Sequence, residues 1–220
     1  MTLPTIRTFA WEPIPLPQPA YIKASSVYAA LMQRKTTREI RSTPLPQQLF
    51  SNLLWAACGV NRTTGPFGGV GRTAASASNS QEIEIFVAVE EGVYLYDALD
   101  HALKPIAAGD RRAEAMTPGQ PHVAATAPVH LIYVADIQWL THTKGFQEPG
   151  LLDPDVQKSY YFVDTGMIAG NVYLFAADQG LAAWFHNCDK VGLAKTLGLR
   201  VNQRVLFAQS VGYPESTTAD

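Results

Sequence analysis

The chain has 220 residues, of which 47% are hydrophobic and 16% charged, and its formal net charge at pH 7 is −2. This length and composition predict one substantial hydrophobic core in a single domain. The slightly negative charge disfavours a nucleic acid or an anionic membrane as a partner, because such partners normally require a basic excess.

The first 24 residues predict an extended N-terminal arm. Residues 1–22 hold five of the 15 prolines and show no periodic apolar pattern. The opening "MTLPTIRTFAWEPIPLP" lacks the charged start and apolar run of a secretory signal. We therefore expect an arm over residues 1–24 that packs on its own chain or on a partner, followed by a single domain over residues 25–220.

The cysteines and histidines favour neither a disulfide framework nor a metal site. Cys58 and Cys188 are 130 residues apart, without a CxxC motif, which predicts reduced thiols and a cytoplasmic protein. No pair of histidines has the spacing of metal ligands on a helix. The five histidines are His101, His122, His130, His142 and His186.

Two helices are predicted at the start of the domain. Ser25 or Ser26 can cap a short helix with apolar residues at helical spacing, which ends near Arg34 and Lys35. "TPLPQQLFSNLLWAACG" (43–59) predicts a second helix, with a proline in its first turn and a glycine as its stop.

The remainder of the chain predicts a loop, several strands and a long helix. Residues 65–81 are rich in Gly and Ser and form the loop, and "EIEIFVAVEEGVYLYDA" (82–98) is an antiparallel hairpin. Further strands are predicted at 128–136, 180–187 and 204–214, and helices at 154–179 and 189–199. This order favours an α+β fold with helices on a mainly antiparallel sheet, and a doubly wound parallel sheet is the alternative.

One apolar stretch has the length of a membrane span. "GMIAGNVYLFAADQGLAAWF" (166–185) could cross a bilayer at about 20 residues. However, Asp178 inside it costs about 2.5–3.5 kcal/mol on insertion scales, and Gly180 is typical of a helix stop. We interpret the stretch as a buried helix that runs into a strand, so no membrane partner is expected.

The densest positive charge follows the first predicted helix. "RKTTREIR" (34–41) contains four of the 17 lysines and arginines. Two interpretations are open at this point. Cations at a helix C-terminus complement its macrodipole by about 0.3–1 kcal/mol each. Alternatively, the cations and the hydroxyl of Thr36 form a clamp for a phosphate group.

A second polar motif ends the Gly/Ser-rich loop. Asn79 and Gln81 stand two residues apart just before a predicted strand, and side-chain amides can bond both the donor and the acceptor edge of a heterocycle. The loop has neither the spacing of a nucleotide phosphate loop nor the context of a hydrolase serine. A phosphate clamp combined with a pair of ring-reading amides favours a nucleotide ligand.

These motifs, in this order, resemble the FMN-dependent nitroreductase family, particularly its branch close to the SagB-type, azoline-oxidising dehydrogenases. The family's RRSxR-like segment corresponds to residues 34–38. The later matches are "LLWAACGVNR" (53–62), "RTAASASNSQ" (72–81), "DTGMIAGNVYLFAADQGL" (164–181) and "VGYP" (211–214). The resemblance extends from about residue 25 to residue 214.

The resemblance implies a nitroreductase-like α+β sandwich that forms an obligate homodimer, with one FMN in each of two clefts at the subunit interface. The clamp residues would bind the phosphate and the ribityl or pyrimidine side of FMN. They are Arg34, Lys35, Thr36 and Arg38. No metal ion is implied.

The isoalloxazine ring would be contacted by two further segments, again by resemblance. Ser76, Asn79 and Gln81 would reach it from the loop, from either subunit. The turn that contains His186 and Asn187 would line the ring. For His186, two roles are open: a proton donor to the acceptor, or a wall residue whose imidazole is satisfied within the protein.

The sequence departs from the family pattern at three places. Lys35 and Thr36 stand where Arg and Ser are usual, and both keep the charge or hydroxyl. Ala75 and Glu82 replace prolines that usually stiffen the loop. After "VGYP" the family often supplies a phosphate-binding Lys or Arg, whereas "ESTTAD" contains none, so we expect the opening cluster to carry more of the phosphate.

The implied activity is a ping-pong cycle in which NADH or NADPH delivers hydride to flavin N5 and a nitroaromatic, quinone or similar small acceptor then receives it. No catalytic side chain is then needed, in keeping with the absence of an acid–base pair. Two alternatives stay open: an azoline or peptide dehydrogenase of the SagB type, and a non-catalytic FMN-binding protein.

Overall fold

The computed structural model describes residues 12–20, 26–119, 125–145 and 152–215. Within these ranges the helices are α1 (Val27–Gln33), α2 (Gln47–Cys58), α3 (Ile137–His142), α4 (Pro154–Asp178) and α5 (Lys190–Thr196). The strands are β1 (Ile14–Pro15), β2 (Val60–Arg62), β3 (Gly71–Arg72), β4 (Ile83–Val89), β5 (Gly92–Asp97), β6 (Ala102–Ala108), β7 (Val129–Asp136), β8 (Ala182–His186) and β9 (Gln203–Gly212). Residues 1–11 of the expected arm, Ser25, His122 and residues 216–220 lie outside the described ranges.

Seven of these strands form one sheet. Its order is β1-β6-β5-β4-β7-β9-β8, and every neighbouring pair is antiparallel. The predicted hairpin is β4–β5, with Val89 opposite Gly92 across the Glu90–Glu91 turn. The prediction of an α+β fold with a mainly antiparallel sheet is confirmed, and the alternative of a doubly wound parallel sheet is wrong.

Side chains alternate between the two faces of the sheet along each strand, and a buried apolar cluster covers each face. On one face, Ile85 and Val87 of β4 share a buried cluster with Leu53 and Leu54 of α2 and with Val172 of α4. On the opposite face, the alternate side chains of β4, β7 and β9 pack with Cys188, Leu193 and Leu197 in and around α5. The central strand β7 is consequently buried at every position.

Helix α4 and the strand after it follow the predicted course. The helix ends at Asp178, one residue before the predicted end, and β8 begins at Ala182 after a turn in which Gly180 has a positive φ of 64°. Among the described residues, none of the helices combines the length and the apolar character needed to cross a membrane.

Strand β6, helix α3 and the short strands β1, β2 and β3 were not predicted, and β3 lies within the stretch 65–81 that was predicted to be a loop. Strand β6 contains Pro105, which lacks an N–H and disfavours a strand assignment. The proline is tolerated because β1 pairs with Ala102 and Leu103, and no strand among the described residues pairs with the outer edge of β6 at Pro105. Helix α3 has six residues and is too short to produce a clear helical period.

The described part of the N-terminal arm, residues 12–20, packs on its own chain. β1 pairs with β6, and the Leu16 N–H donates to the His101 carbonyl (2.9 Å). Further along, the Asn52 side chain accepts from the Ala20 N–H (3.0 Å) and donates to the Ala20 carbonyl (3.2 Å). These contacts fix the arm to α2 and the sheet edge.

Candidate cofactor site

A cleft of about 900 Å³ opens beside the cation-rich segment, residues 34–41. The segment forms one wall, and the C-terminal half of α4, the turn into β8 and residues 214–215 form the other. Lys35, Thr36 and Arg38 line the first wall, and Tyr173 and Gly180 line the second. The cleft is therefore built where three distant parts of the sequence meet.

The cations lie beyond α1 rather than in its last turn. The helix ends at Gln33, its last turn contains no basic residue, and Arg34 is the C-cap. The segment then runs along the protein, held by the Thr37 N–H donating to the Ala183 carbonyl (3.0 Å) and the Arg41 N–H donating to the Tyr213 carbonyl (2.8 Å). Because the macrodipole acts mainly within the last turn, it accounts for at most the first of these charges.

Aromatic rings, not carboxylates, lie against the cationic side chains. The guanidinium carbon of Arg34 is 5.7 Å from the ring centroid of Tyr173, and that of Arg38 is 5.5 Å from the ring centroid of Trp184. Among the described residues, no carboxylate forms an ion pair with Arg34, Lys35 or Arg38. Three such cations and a hydroxyl form a donor set suited to a phosphate group.

Two acidic residues also line the cleft, Glu39 and Glu215. Their backbones are joined, since the Glu215 N–H donates to the Glu39 carbonyl (3.1 Å), and Arg41 Nε donates to the Glu215 carbonyl (3.0 Å). Glu215 is the residue directly after "VGYP". The cleft is thus less positive than the segment "RKTTR" alone indicates.

Tyr173 is a site residue that the sequence reasoning missed. Its hydroxyl accepts from the Phe185 backbone N–H (2.9 Å) and is hydrogen-bonded to Thr36 Oγ1 (3.0 Å). It therefore connects the cation-rich segment to β8 while its ring lies under Arg34. An aromatic residue at helical spacing is usually read as core, and nothing in the local pattern indicates a partner 137 residues away.

The loop residues Ser76, Asn79 and Gln81 bond mainly to one another and to the loop backbone. Ser76 Oγ accepts from the Gln81 N–H (3.0 Å). Asn79 Nδ2 and Gln81 Nε2 both donate to the Val70 carbonyl, at 3.0 Å and 2.8 Å, and Gln81 Nε2 also donates to Asn79 Oδ1 (3.0 Å). The two amides therefore stabilise the loop within the chain.

The loop and the clamp lie at different points along α4. The loop meets the helix where the Ala77 N–H donates to Asp164 Oδ2 (2.8 Å), whereas the clamp meets it at Tyr173. At 1.5 Å per residue, these two points are about 13.5 Å apart along the helix axis. A single chain consequently does not bring Ser76, Asn79 and Gln81 into the cleft beside the clamp.

His186 is buried and uses both ring nitrogens within the chain. Nδ1 donates to the Asn187 carbonyl (2.7 Å), so Nε2 accepts from the Ser210 hydroxyl (2.8 Å). Burial lowers the pKa of His186, and it lowers that of the neighbouring His130 to about 3. The imidazole has the environment of a satisfied wall residue, whereas the side chain of Asn187 is exposed.

The two thiols are free and buried. Burial raises the pKa of Cys58, and it raises that of Cys188 to about 12. In the parts of the chain that the structure describes, no group of three His, Cys, Asp or Glu side chains is arranged to hold a metal ion.

Comparison with known protein families identifies the class of protein that has this fold. Residues 31–213 match the model of the nitroreductase family. The chain belongs to this family.

Relatives of known sequence and structure agree. A protein of Methanocaldococcus jannaschii named as a nitroreductase is 32% identical over 175 residues, which cover 76% of this chain and 80% of the relative. A crystal structure named as a nitroreductase, from Ralstonia eutropha, is 30% identical, with a TM-score of 0.79, over 98% of this chain and 95% of the other. The NADPH:FMN oxidoreductase of Vibrio harveyi has the same fold, at 17% identity and a TM-score of 0.59, over 86% and 69% of the two chains.

The Tyr173 bridge can be tested with Tyr173→Phe, which removes the hydroxyl and keeps the ring. The Phe185 N–H and Thr36 Oγ1 each lose a partner, so we expect the free energy of unfolding in urea to fall by about 1–2 kcal/mol. Hydrogen exchange at the Phe185 amide should become faster. Tyr213→Phe is the matched control, because no hydrogen bond of the Tyr213 hydroxyl is found among the described residues. Equal stability of the two variants would show that the bridge contributes nothing.

Proposed function

We propose that this chain is an FMN-dependent oxidoreductase that takes hydride from NADH or NADPH and passes it to a nitroaromatic, a quinone or a similar small acceptor. The observation that carries the proposal is the cleft lined by Lys35 and Arg38, with Arg34 next to Lys35 on the same segment. None of these three cations has a carboxylate partner among the described residues. Membership of the nitroreductase family and the shared fold with an NADPH:FMN oxidoreductase support it.

Arg34, Lys35, Thr36 and Arg38 would hold the phosphate of FMN. Guanidinium groups match phosphate oxygens with paired donors, and the rings of Tyr173 and Trp184 restrict where those groups can point. Glu215 stands at the position where the family often has a cation, so the segment before it carries the phosphate without that help. We infer a phosphate site that depends strongly on Arg34 and Arg38.

Ser76, Asn79 and Gln81 would contact the ring from the second subunit. Within one chain these residues lie away from the clamp along α4, so a second copy packed on this helix is needed to bring a loop and a clamp together. The described surface supports such packing. Large apolar side chains are exposed on α1 and α4: Val27 68%, Tyr28 80%, Leu31 54%, Met32 88%, Val163 61% and Met167 49%.

Exposed apolar faces of this kind on two adjacent helices normally indicate an interface. We infer a homodimer in which α1 and α4 of the two copies meet and the sites lie at their junction. The interface would then complete the cofactor site as well as cover apolar surface.

When bound, FMN would supply the hydride chemistry, so the chain needs no acid–base pair of its own. Its residues would bind and orient: the clamp holds the phosphate end, and Asn187 and the backbone of the turn at His186 line the ring. The buried, fully bonded imidazole of His186 supports a structural role for that side chain. We place the protein in the cytoplasm, where NADH and NADPH are available and free thiols stay reduced.

The function is tested by the purified full-length protein. It should be yellow, release a flavin with the mass of FMN on heating, and oxidise NADH or NADPH only when a quinone or nitroaromatic is present. Protein that holds FMN and consumes no nicotinamide with any acceptor would contradict the reductase and leave the azoline or peptide dehydrogenase and the non-catalytic FMN-binding protein. Protein without bound flavin, and unable to bind added FMN, would contradict all three.

The clamp is tested with the double variant Arg34→Ala, Arg38→Ala. Loss of two exposed charge-assisted contacts should weaken FMN binding by about 10- to 100-fold, as measured by titration of the apoprotein. Arg41→Ala is the matched control, since Arg41 belongs to the same cluster but its Nε already donates to the Glu215 carbonyl (3.0 Å). Full FMN occupancy of the double variant would rule out the clamp assignment.

The dimer is tested with Val163→Asp on the exposed face of α4. A carboxylate at an apolar interface is not compensated, so light scattering should show a monomer, and bound FMN should be lost with it. Val201→Asp places the same charge on a valine in the turn before β9 that is more exposed, at 89% against 61% for Val163, and should leave the mass and the FMN content unchanged. A wild-type protein that is monomeric at micromolar concentration and still holds FMN would contradict the shared site.

A further inference from the structure

The loop proposed to contact the ring has a strained backbone. Ser78, Asn79 and Gln81 all have positive φ angles, of 49°, 55° and 53°. This left-handed region costs an L-residue other than glycine about 1–2 kcal/mol. Such a conformation persists only when surrounding contacts enforce it, so something must hold the loop in place.

Two buried carboxyl groups provide those contacts. Asp164 Oδ2 accepts from the Ala77 N–H (2.8 Å), and Glu82 Oε2 accepts from the Ser80 hydroxyl (2.6 Å). Both side chains are shielded from solvent, with Glu82 0% and Asp164 6% exposed. The loop is therefore fixed at one residue near its centre and at one near its end by acidic side chains from different elements.

The second carboxyl oxygen of Glu82 indicates how two acidic side chains can be buried side by side. Glu82 Oε1 is buried without a hydrogen-bond donor from the described residues. The charge and the side chain of Asp164 act on Glu82, and two neighbouring buried carboxylates cannot both ionise at low cost. A proton on Glu82 that is donated to the Asp164 carboxylate satisfies the orphaned oxygen and removes the repulsion.

The electrostatics agree with this arrangement. Burial, followed by the charge of Asp164, raises the pKa of Glu82 to about 7, and burial also raises the pKa of Asp164. Arg72 is the one cation among the ionisable groups that face this region, and its Nη1 is directed at Cys58 Sγ (3.5 Å). Those groups are Cys58 on α2, Arg72 on β3, Glu84 on β4, Tyr96 and Asp97 on β5, and Asp164 on α4.

We propose that Glu82 and Asp164 share one proton, and that this proton-sharing pair is the positioning device that holds residues 76–81 in the strained conformation the cofactor needs. The part concerning the cofactor rests on the proposed function, whereas the closure of the loop by the pair does not. Glu82 and Asp164 act through the loop and are positioning residues.

The sign of the pH dependence follows from the raised pKa of Glu82. In the closed loop the raised pKa lets Glu82 keep its proton up to about pH 7, while in an open, solvated loop its pKa returns to the ordinary glutamate value of 4.5. The stabilisation of the closed loop is therefore complete below the open-state pKa, is lost as the pH rises through about 7, and changes little above that. Loop opening should increase about tenfold between pH 6 and pH 8.

The test measures the hydrogen-exchange protection factor of the Ala77 amide at pH 6 and pH 8, in full-length protein with and without added FMN. In the wild type this factor should fall about tenfold. In Glu82→Gln it should stay constant, because the neutral amide can donate to Asp164 at both pH values. Glu84→Gln, two residues along the chain, removes a matched carboxylate and should keep the tenfold fall.

Other measurements separate a lost proton from a lost fold. The Leu131 amide in the central strand β7 reports the stability of the whole fold, and in every variant it should stay far more strongly protected than the Ala77 amide, which shows that Ala77 exchanges by local opening of the loop. Asp164→Asn supplies a second variant in which the acid pair is gone, and the fall at Ala77 should be smaller than in the wild type, because burial still raises the pKa of Glu82 but the charge of Asp164 no longer does. An unchanged protection factor in the wild type, or a tenfold fall that persists in Glu82→Gln, would overturn the proposal.

FMN titration and hydrogen exchange test separate parts of the proposal. If FMN binds, its dissociation constant should rise from pH 6 to pH 8 in the wild type and stay flat in Glu82→Gln. If the protection factor of the Ala77 amide depends on pH but the protein binds no FMN, the proposed function is contradicted and the proton-sharing pair is supported. If the protein binds FMN but the protection factor of the Ala77 amide does not change with pH, the proton-sharing pair is contradicted and the proposed function is not.

Discussion

Helix α4 contacts three different environments at once: the apolar core, the polar loop and cation-rich segment, and the outer surface. The positions of the loop and of the cation-rich segment both depend on this helix. Val172 packs into the main core, Asp164 and Tyr173 make polar contacts with the loop and the cation-rich segment, and Val163 and Met167 face outwards. A helix that is apolar on more than one side needs more than one apolar partner. The sheet supplies the first partner within the chain, and the proposed second copy supplies the other. The position of α4 therefore fixes where loop and clamp can lie relative to each other.

Much of the fold could be predicted because strong periodicity survives in single elements. The apolar face of α2, the alternation in "EIEIFVAVEEGVYLYD" and the length of α4 each identify their element without tertiary information. β6 and α3 were missed for local reasons, a proline in one and too few residues in the other. The candidate site is visible in the sequence only in part. A cluster of cations is visible in the sequence, whereas the Tyr173 hydroxyl acquires its role only when Thr36 and Phe185 are brought to it by the fold.

In the proposed clamp, aromatic side chains take the place of carboxylates in positioning Arg34 and Arg38. A carboxylate partner would orient Arg34 or Arg38 but would also neutralise it and compete with a phosphate. The rings of Tyr173 and Trp184 restrict the guanidinium groups through the face of their π-systems and leave the charge available. The acidic residues of the cleft, Glu39 and Glu215, are tied together through their backbones at the far end of the segment. The cations therefore keep their charge, although Glu39 and Glu215 line the same cleft and lower its net positive charge.

The residue at position 82 changes how the loop is made rigid. A proline there, as is usual in the resembling family, restrains the backbone through its ring and brings no ionisable group. Glu82 lacks that restraint, and its backbone carbonyl still accepts from the Asp136 N–H (2.8 Å) at the start of the sheet. Its side chain instead anchors the loop through Ser80 and meets Asp164. Glu82 can donate a hydrogen bond to Asp164 only while it is protonated. The substitution therefore replaces the covalent restraint of a proline ring, which does not depend on pH, with a hydrogen-bonded restraint that does. The strain at Ser78, Asn79 and Gln81 makes that difference matter, since a relaxed loop would need no such anchor.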